Sequence, residues 1–526
     1  MVEEKDVALV QHLAKQGVDD KMVMGHPASL FVLFFTEMWE RFSYYGMRAL
    51  LTVFLISELA KGGWGWSNGD AMQLYAWYTG LVYLTPLLGG ILADKLTGYR
   101  QAIILGALVM TLGHLSMAFE TFHDNFFYLG LVLMIAGNGL FKPNISSMVG
   151  QLYPDTSSKK DAGYTIFYMG INAGAFLGML LCGYIGEKIG WHYGFGLAGI
   201  FMFFGMMQFY FGQRIFGVIG EKPSVKHTPE EHIEKVNDED TPGHIVRDRL
   251  IVVAVLMVAS LFFFFAFEQA GGSMTIFAKN YTQRVLEGNA GDIFKWVDAA
   301  LTIFPIAIVT WVLYSLSKKI AARYPLTIVF TAISFAIIWA LGIWKVYREF
   351  NLEQTEVTVS WFQILNSFFI ITLASTFSKL WEKVWNPSGP IKFAMGLLLV
   401  GVGFVALAYG ANEIPQGAET ASVSMIWLIL AYFFHTTGEL CLSPVGLSYV
   451  SKLSPKKLAG LLFGLWFTAS AIANFIAGMT GSYIDQISET YSMSVFFYII
   501  ASIPIAAAVL LVLFNPILKK MMHGIN

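Results

Sequence analysis

The stretch GVIGEKPSVKHTPEEHIEKVNDEDTPGHIVRD, residues 217–248, is the longest polar interval in a chain that is otherwise a succession of apolar runs. Its Lys, Glu, Asp, Pro and His stay in water and break helices, so it reads as a linker between two bundles. Crossing a bilayer as a helix takes about 20 mostly apolar residues. Ahead of the linker such segments fall at 28–58, 68–96, 100–120, 125–148, 160–187 and 191–216. After it they fall at 249–278, 293–318, 324–348, 358–381, 391–411, 422–450, 457–483 and 490–518. The expectation is an all-α polytopic membrane protein with six spans in front and eight behind, about 14 transmembrane helices in all.

Composition agrees with that reading. Of 526 residues 56% are hydrophobic and 13% charged, and the mean hydropathy is +0.58, far more apolar than a water-soluble enzyme. The formal net charge is -2 and Lys and Arg are dispersed among short loops, so no basic face for nucleic acid is expected. Cys182 and Cys441 both lie in apolar stretches and read as packing residues. No histidine pair has metal-ligand spacing, so no metal and no cofactor is expected. No HExxH pair and no nucleophile beside a base is present, which sets an enzyme such as a peptidase aside.

Residues 1–27 hold Glu3, Glu4, Asp19 and Asp20 and no continuous apolar core, so the first span is expected to be retained rather than cleaved as a signal. Orientation follows from the basic loops. Lys95 and Arg100, Lys159 and Lys160, Lys222 and Lys226, Lys318, Lys319 and Arg323, Lys379 and Lys383, Lys452, Lys456 and Lys457, and Lys519 and Lys520 fall on one side if the spans alternate. That side is read as the cytoplasm, with both termini on it. The opposite loops are acidic, with Glu120, Asp124, Glu413, Glu419, Asp485 and Glu489; Lys279 and Arg284 are exceptions.

The chemistry is concentrated on the first span, in TEMWERFSYYGMRALL, residues 36–51. Glu37, Arg41, Tyr44 and Arg48 recur at helical spacing and form one stripe, flanked by Glu40 and Tyr45. Each unpaired charge near the bilayer centre costs about 3 kcal/mol on insertion scales, so the stripe is expected to face partners or a wet cavity. A salt-bridge cluster that only fixes packing is the bland alternative. Lys142, in GNGLFKPNISS, is the expected partner. A proton gained by Glu37 or Glu40 would release Lys142 and Arg41, the minimal switch of a symporter. In the back half, Glu268 in FAFEQAGGS is a candidate counter-charge for Arg48 that forms or breaks as a gate. Glu439 in TTGELCLSP, shortly before Pro444, is a candidate site for an ammonium group. For both acids the plainer alternative is a structural pair within one bundle. His435, one turn before Glu439, can share a proton with it or bond locally.

Two six-helix halves joined by a long cytoplasmic linker resemble the major facilitator superfamily. The motif GGILADKLTGYR, residues 89–100, is similar to that superfamily's signature, with Gly90, Asp94, Lys95, Gly98 and Arg100 in place. Its glycines permit close helix approach, and its charges are expected to act as a cytoplasmic latch in which Asp94 takes part in gating.

Five motifs in order, GHPASLFVLFFTEMWERFSYYGMRALL, GNGLFKPNISSMVG, FYMGINAGAF, FEQAGGSM and GELCLSPVGLS, resemble the proton-dependent oligopeptide transporter family, the peptide transporter branch of that superfamily, in its bacterial form. The resemblance implies a proton-coupled symporter that imports dipeptides and tripeptides by alternating access, functional as a monomer in the bacterial plasma membrane. It implies that Glu37, Glu40 and Arg41 form an ExxER proton-coupling motif with Lys142, and that Glu268 shares in coupling and gating. Arg48 and Lys142 would receive the peptide carboxylate and Glu439 the amine. Tyr45, Tyr83, Asn172 and Asn366 would bond the peptide backbone, while Trp466, Phe264 and Ser470 would shape side-chain pockets. Ala76 stands where mammalian relatives carry a His, and Phe264 where many relatives carry Trp. Nitrate or another small solute is the alternative substrate within the same fold, and an acid at Glu439 opposes an anion.

The divisions expected are 1–27 for an N-terminal cytoplasmic segment, 28–216 for a front six-helix bundle, 217–248 for the linker and 249–520 for a back six-helix bundle. The surplus spans make an inserted pair at about 293–348, ahead of WFQILNSFFII, which resembles the family's eighth helix. Lipid-facing packing support is the role expected of this pair, against a partner-binding or regulatory one.

Overall fold

The computed structural model describes residues 7–154, 157, 159–222, 242–455 and 458–525. Most of the 217–248 linker, including Lys226, and Lys456 and Lys457 lie outside the described residues.

The helices in chain order are α1 (Val7–Lys15), α2 (Ala28–Ile56), α3 (Asn68–Leu92), α4 (Tyr99–Ala118), α5 (Asp124–Gln151), α6 (Lys160–Lys188), α7 (Trp191–Gly212), α8 (Gly243–Phe267) and α9 (Ser273–Asn280). They continue as α10 (Gly288–Ile320), α11 (Pro325–Phe350), α12 (Val359–Lys379), α13 (Gly389–Ala411), α14 (Ile426–Leu453), α15 (Ala459–Gly481), α16 (Ile484–Thr490) and α17 (Met493–Met521). Among the described residues 13 helices are long and apolar enough to cross a membrane. α2, at 29 residues, has the length as well and misses that set because of Glu37, Glu40, Arg41 and Arg48. With α2 included, the expected fourteen spans are all present, and the chain is a multi-pass membrane protein.

Packing divides the chain into two compact units, one of residues 1–50, 85–224 and 284–364, the other of 51–84, 225–283 and 365–526. In the first, α4 lies along α5 and α7, α6 packs on α7, α11 on α7 and α10 on α6. In the second, α13 lies along α14 and α17 while α8 touches α13, α14, α15 and α17. A cut at the linker and a cut by packing therefore differ in two places. The inserted pair, α10 and α11, follows the linker in sequence yet packs with the front helices. Residues 51–84 precede the linker yet pack in the second unit.

Lipid offers no hydrophobic drive for helix association, so close backbone approach has to supply it. Between α4 and α5 it is supplied by glycines spaced two turns apart. A Cβ at Gly106 would meet Gly137 O at 2.7 Å, and one at Gly113 would meet Gly130 O at 3.0 Å. In the second unit Gly396 of α13 and Gly438 of α14 face one another in the same way, at 2.8 and 2.7 Å from each other's carbonyl oxygen.

Candidate functional site

α2 carries the polar stripe, and in the first unit it is seated on α6 by three glycines one turn apart. A Cβ on Gly170 would lie 2.8 Å from Phe34 Cδ2, one on Gly174 2.9 Å from Arg41 Cβ, and one on Gly178 2.8 Å from Phe42 Cα. The tight fit fixes the rotation of α2 and thereby where its charges point. Glu37, Glu40 and Arg41 are all buried. Arg41 Nε donates to Glu37 Oε1 at 2.6 Å and lies 3.1 Å from Glu40 Oε2. One guanidinium thus sits between two carboxylates. From α5, Asn138 Nδ2 donates to Glu40 Oε1 at 2.9 Å. Lys142, one turn further along α5, is near enough to Glu40 to act on it electrostatically. The four proton-coupling candidates of the front half, Glu37, Glu40, Arg41 and Lys142, are therefore one cluster.

Charge-assisted bonds in a low-dielectric interior are strong, and breaking one partner leaves a buried charge. A proton delivered to either acid changes which groups attract Arg41. Such an arrangement can change its contacts with proton occupancy. Asn138 is not among the candidates the sequence offers, although it lies one turn before Lys142 on the same face of α5. Further along α2, the Arg48 guanidinium lies 5.9 Å from the centroid of the Tyr45 ring, and Tyr45 packs edge-on against Tyr44 at 5.1 Å. Asn172 of α6 donates to Tyr168 O of its own helix at 3.0 Å.

Asp94 accepts from Tyr99 OH at 2.7 Å, within its own turn. Arg100 donates to Ile219 O at 2.7 Å and to Gly217 O, and lies 3.5 Å from Glu221. These partners of the GGILADKLTGYR charges all belong to the first unit.

In the second unit Glu268 stands where α8 ends and a tight turn, Glu268–Gly271, leads into α9. Breaking a helix inside a membrane strands backbone carbonyls, which are tolerated only when neighbours bond them. Here Thr52 donates to Gly271 O at 2.7 Å, Tyr432 to Ala270 O at 3.3 Å and Tyr75 to Glu268 O at 3.5 Å. Gln269 reaches back to Ala477 O at 2.9 Å. The FEQAGGS motif is thus a satisfied helix break that presents a buried acid.

Glu439 on α14 accepts from Asn366 Nδ2 of α12 at 3.0 Å, and Asn366 also reaches Thr436 at 3.2 Å. Glu268 is close enough to Glu439 to act on it electrostatically. Asn366, Glu439 and Glu268 are therefore one acidic group. His435 turns elsewhere, its ring 4.5 Å from that of Phe404. Trp466 meets Phe393 edge-on at 6.3 Å and abuts Gly446. Ser470 bonds Trp466 O at 3.3 Å, and the rings that face Phe264 are Phe263 and Phe267. Tyr83 is half-buried on α3. Arg48 belongs to the first unit and Glu268 to the second. Cys182 and Cys441 are buried and unbridged, and no metal-holding group occurs among the described residues.

Residues 100–233 and 327–498 match the POT family. An uncharacterized transporter of Bacillus subtilis, YclF, is 34% identical, covering 97% of this chain and 98% of its own. The peptide transporter YePEPT of Yersinia enterocolitica subsp. palearctica is 33% identical, covering 94% of this chain and 96% of its own. Among solved structures, a peptide transporter POT in complex with sulfate superimposes with a TM-score of 0.75 at 29% identity, covering 98% of this chain and 99% of that one. A buried ExxER cluster on a charged first span, a satisfied break at FEQAGGS and relatives along nearly the whole length lead to one conclusion: the chain belongs to the POT family.

Proposed function

We propose that this chain is a proton-coupled symporter that imports dipeptides and tripeptides by alternating access, working as a monomer in the bacterial plasma membrane with both termini in the cytoplasm. The observation that carries the reading is the cluster of buried Glu37, Glu40 and Arg41 with half-buried Lys142, held on two helices of one unit. Four ionisable groups inside a membrane domain are far more than packing requires. Relatives named as peptide transporters or di-/tripeptide transporters support the substrate class.

The roles follow the chemistry of the substrate. A dipeptide has a carboxylate, an amine and an amide, whatever its side chains. Arg48 and Lys142 supply cations for the first, Glu439 and its neighbour Glu268 supply anions for the second, and Tyr45, Tyr83, Asn172 and Asn366 supply polar groups for the third. Trp466, Phe264 and Ser470 give aromatic and small walls that accept varied side chains. Glu439, half-buried and beside another acid, works against a small anion such as nitrate. A proton on Glu37 or Glu40 loosens Arg41 and Lys142, which lets peptide and proton occupancy bias the same conformational equilibrium. Arg48, Glu268 and Asp94 act as gating charges. No cofactor enters the cycle, and the substrate leaves unchanged.

Uptake of labelled dialanine into proteoliposomes tests this. Accumulation is expected when the lumen is negative and the outside acidic, since the potential contributes about 2.3 kcal/mol per charge per 100 mV. No accumulation under that gradient would overturn the reading. Glu37→Gln and Glu40→Gln are expected to abolish concentrative uptake while peptide counterflow persists; equal loss of both removes the coupling role.

A further inference from the structure

The α10–α11 pair carries more buried charge than a lipid-facing prop needs. Asp298 of α10 and Lys345 of α11 are a buried ion pair, and Lys345 also reaches Thr302 Oγ1 at 3.3 Å. Lys345 Nζ lies 5.1 Å from the centroid of the Tyr184 ring of α6. The Tyr184 hydroxyl donates to Glu349 Oε1 at 2.5 Å and accepts from Arg348 at 3.3 Å. The next turn of α6 continues the grip. Glu187 accepts from Val359 N at 2.7 Å and Ser360 N at 2.9 Å, the first turn of α12. Lys188 pairs with Glu356 at 2.6 Å, and Glu356 pairs with Arg284 at 3.0 Å. At the other end of the pair, buried Asp19 lies 2.7 Å from Arg323 and accepts from Tyr324 OH at 3.1 Å. All these groups lie in the first unit.

A buried charge set of this kind either conducts something or fastens something. Their partners favour fastening: Asp298, Lys345, Lys188, Glu356, Arg284, Asp19 and Arg323 are ion-paired, Glu349 and Glu187 accept from donors, and Arg348 donates to the Tyr184 hydroxyl. α6 is also the helix whose Gly170, Gly174 and Gly178 seat α2 and its ExxER motif.

We propose that the α10–α11 pair is a brace, bolted to the C-terminal end of α6 by Asp298, Lys345, Tyr184 and Glu349, that holds the seat of α2 in position and conducts neither protons nor substrate. The positioning claim rests on the proton-coupling role proposed above, whereas the bolt itself is read from stability.

Melting temperatures of Lys345→Met, Asp298→Leu and the double variant test the bolt in the full chain. Lys345→Met alone strands a buried carboxylate and is expected to lower the melting temperature by many degrees, and the double variant is expected to recover most of the loss. Singles without effect overturn the bolt. In proteoliposomes the recovered double variant is expected to keep the wild-type pH profile of dialanine uptake; a shifted profile or lost accumulation shows that the pair handles protons and overturns the brace. If the double variant does not fold, Tyr184→Phe and Glu349→Gln decide. Their combined effect on melting is expected to be smaller than the sum of the singles, and additive losses overturn the contact. The melting readouts stand even if no peptide is transported.

Discussion

Arg41 shows how much a single side chain settles here. Held between Glu37 and Glu40, it turns two acids that lipid would reject into a compact group with a small net charge. Asn138 completes the group by donating to Glu40. Asn138→Leu is expected to leave that carboxylate short of a buried donor, at a cost of about 1–3 kcal/mol in stability measured by denaturant or thermal unfolding. An unchanged stability would mean that Asn138 is incidental. Outside the membrane segments, Glu356 reports pH. Burial alone would raise its carboxyl, but Lys188 and Arg284 outweigh burial and hold it below its ordinary value. An acid depressed in the folded state contributes stability that is present above its unfolded value and lost as pH falls through the lowered one. The melting-temperature gap between the wild type and Glu356→Gln is therefore expected to be open near neutral pH and to close on acidification, as the lowered carboxyl takes up its proton. A gap that widens on acidification would contradict the assignment.

Whole elements obey a different constraint, which is how closely backbones can approach. Gly106 and Gly113 on α4 face Gly137 and Gly130 on α5, with carbonyls where a methyl would have to go. Gly137→Ala is expected to push the helices apart and cost about 1–3 kcal/mol by overpacking, visible as a lower melting temperature. A neutral result would show that the two helices slide freely. The break after α8 follows the rule from the opposite side. Thr52, Tyr75 and Tyr432 engage the carbonyls of Gly271, Glu268 and Ala270, so the interruption is built in and fixed. The FEQAGGS pattern in the sequence marks an acid and two glycines, yet none of those three donors could be read from it, because each comes from a segment far away in the chain.

For the molecule as a whole, orientation is the property most open to test. With both termini expected on the cytoplasmic side, cysteines introduced at Lys15 and Lys520 should react with an impermeant thiol reagent only after right-side-out vesicles are opened. Labelling of intact vesicles would invert the topology. The sequence alone determined the number of spans, the charged first helix and the family, because membrane insertion depends on the apolar length of each local segment and the motifs are contiguous. It also named most of the groups that meet in the ExxER cluster, since helical spacing places them on one face. Only the tertiary structure decided that α10 and α11 pack with the front helices, that Asn138 serves Glu40, and that Glu187 caps α12. Those are choices among partners distant in sequence, made by shape and hydrogen-bond satisfaction in three dimensions, and no local periodicity encodes them.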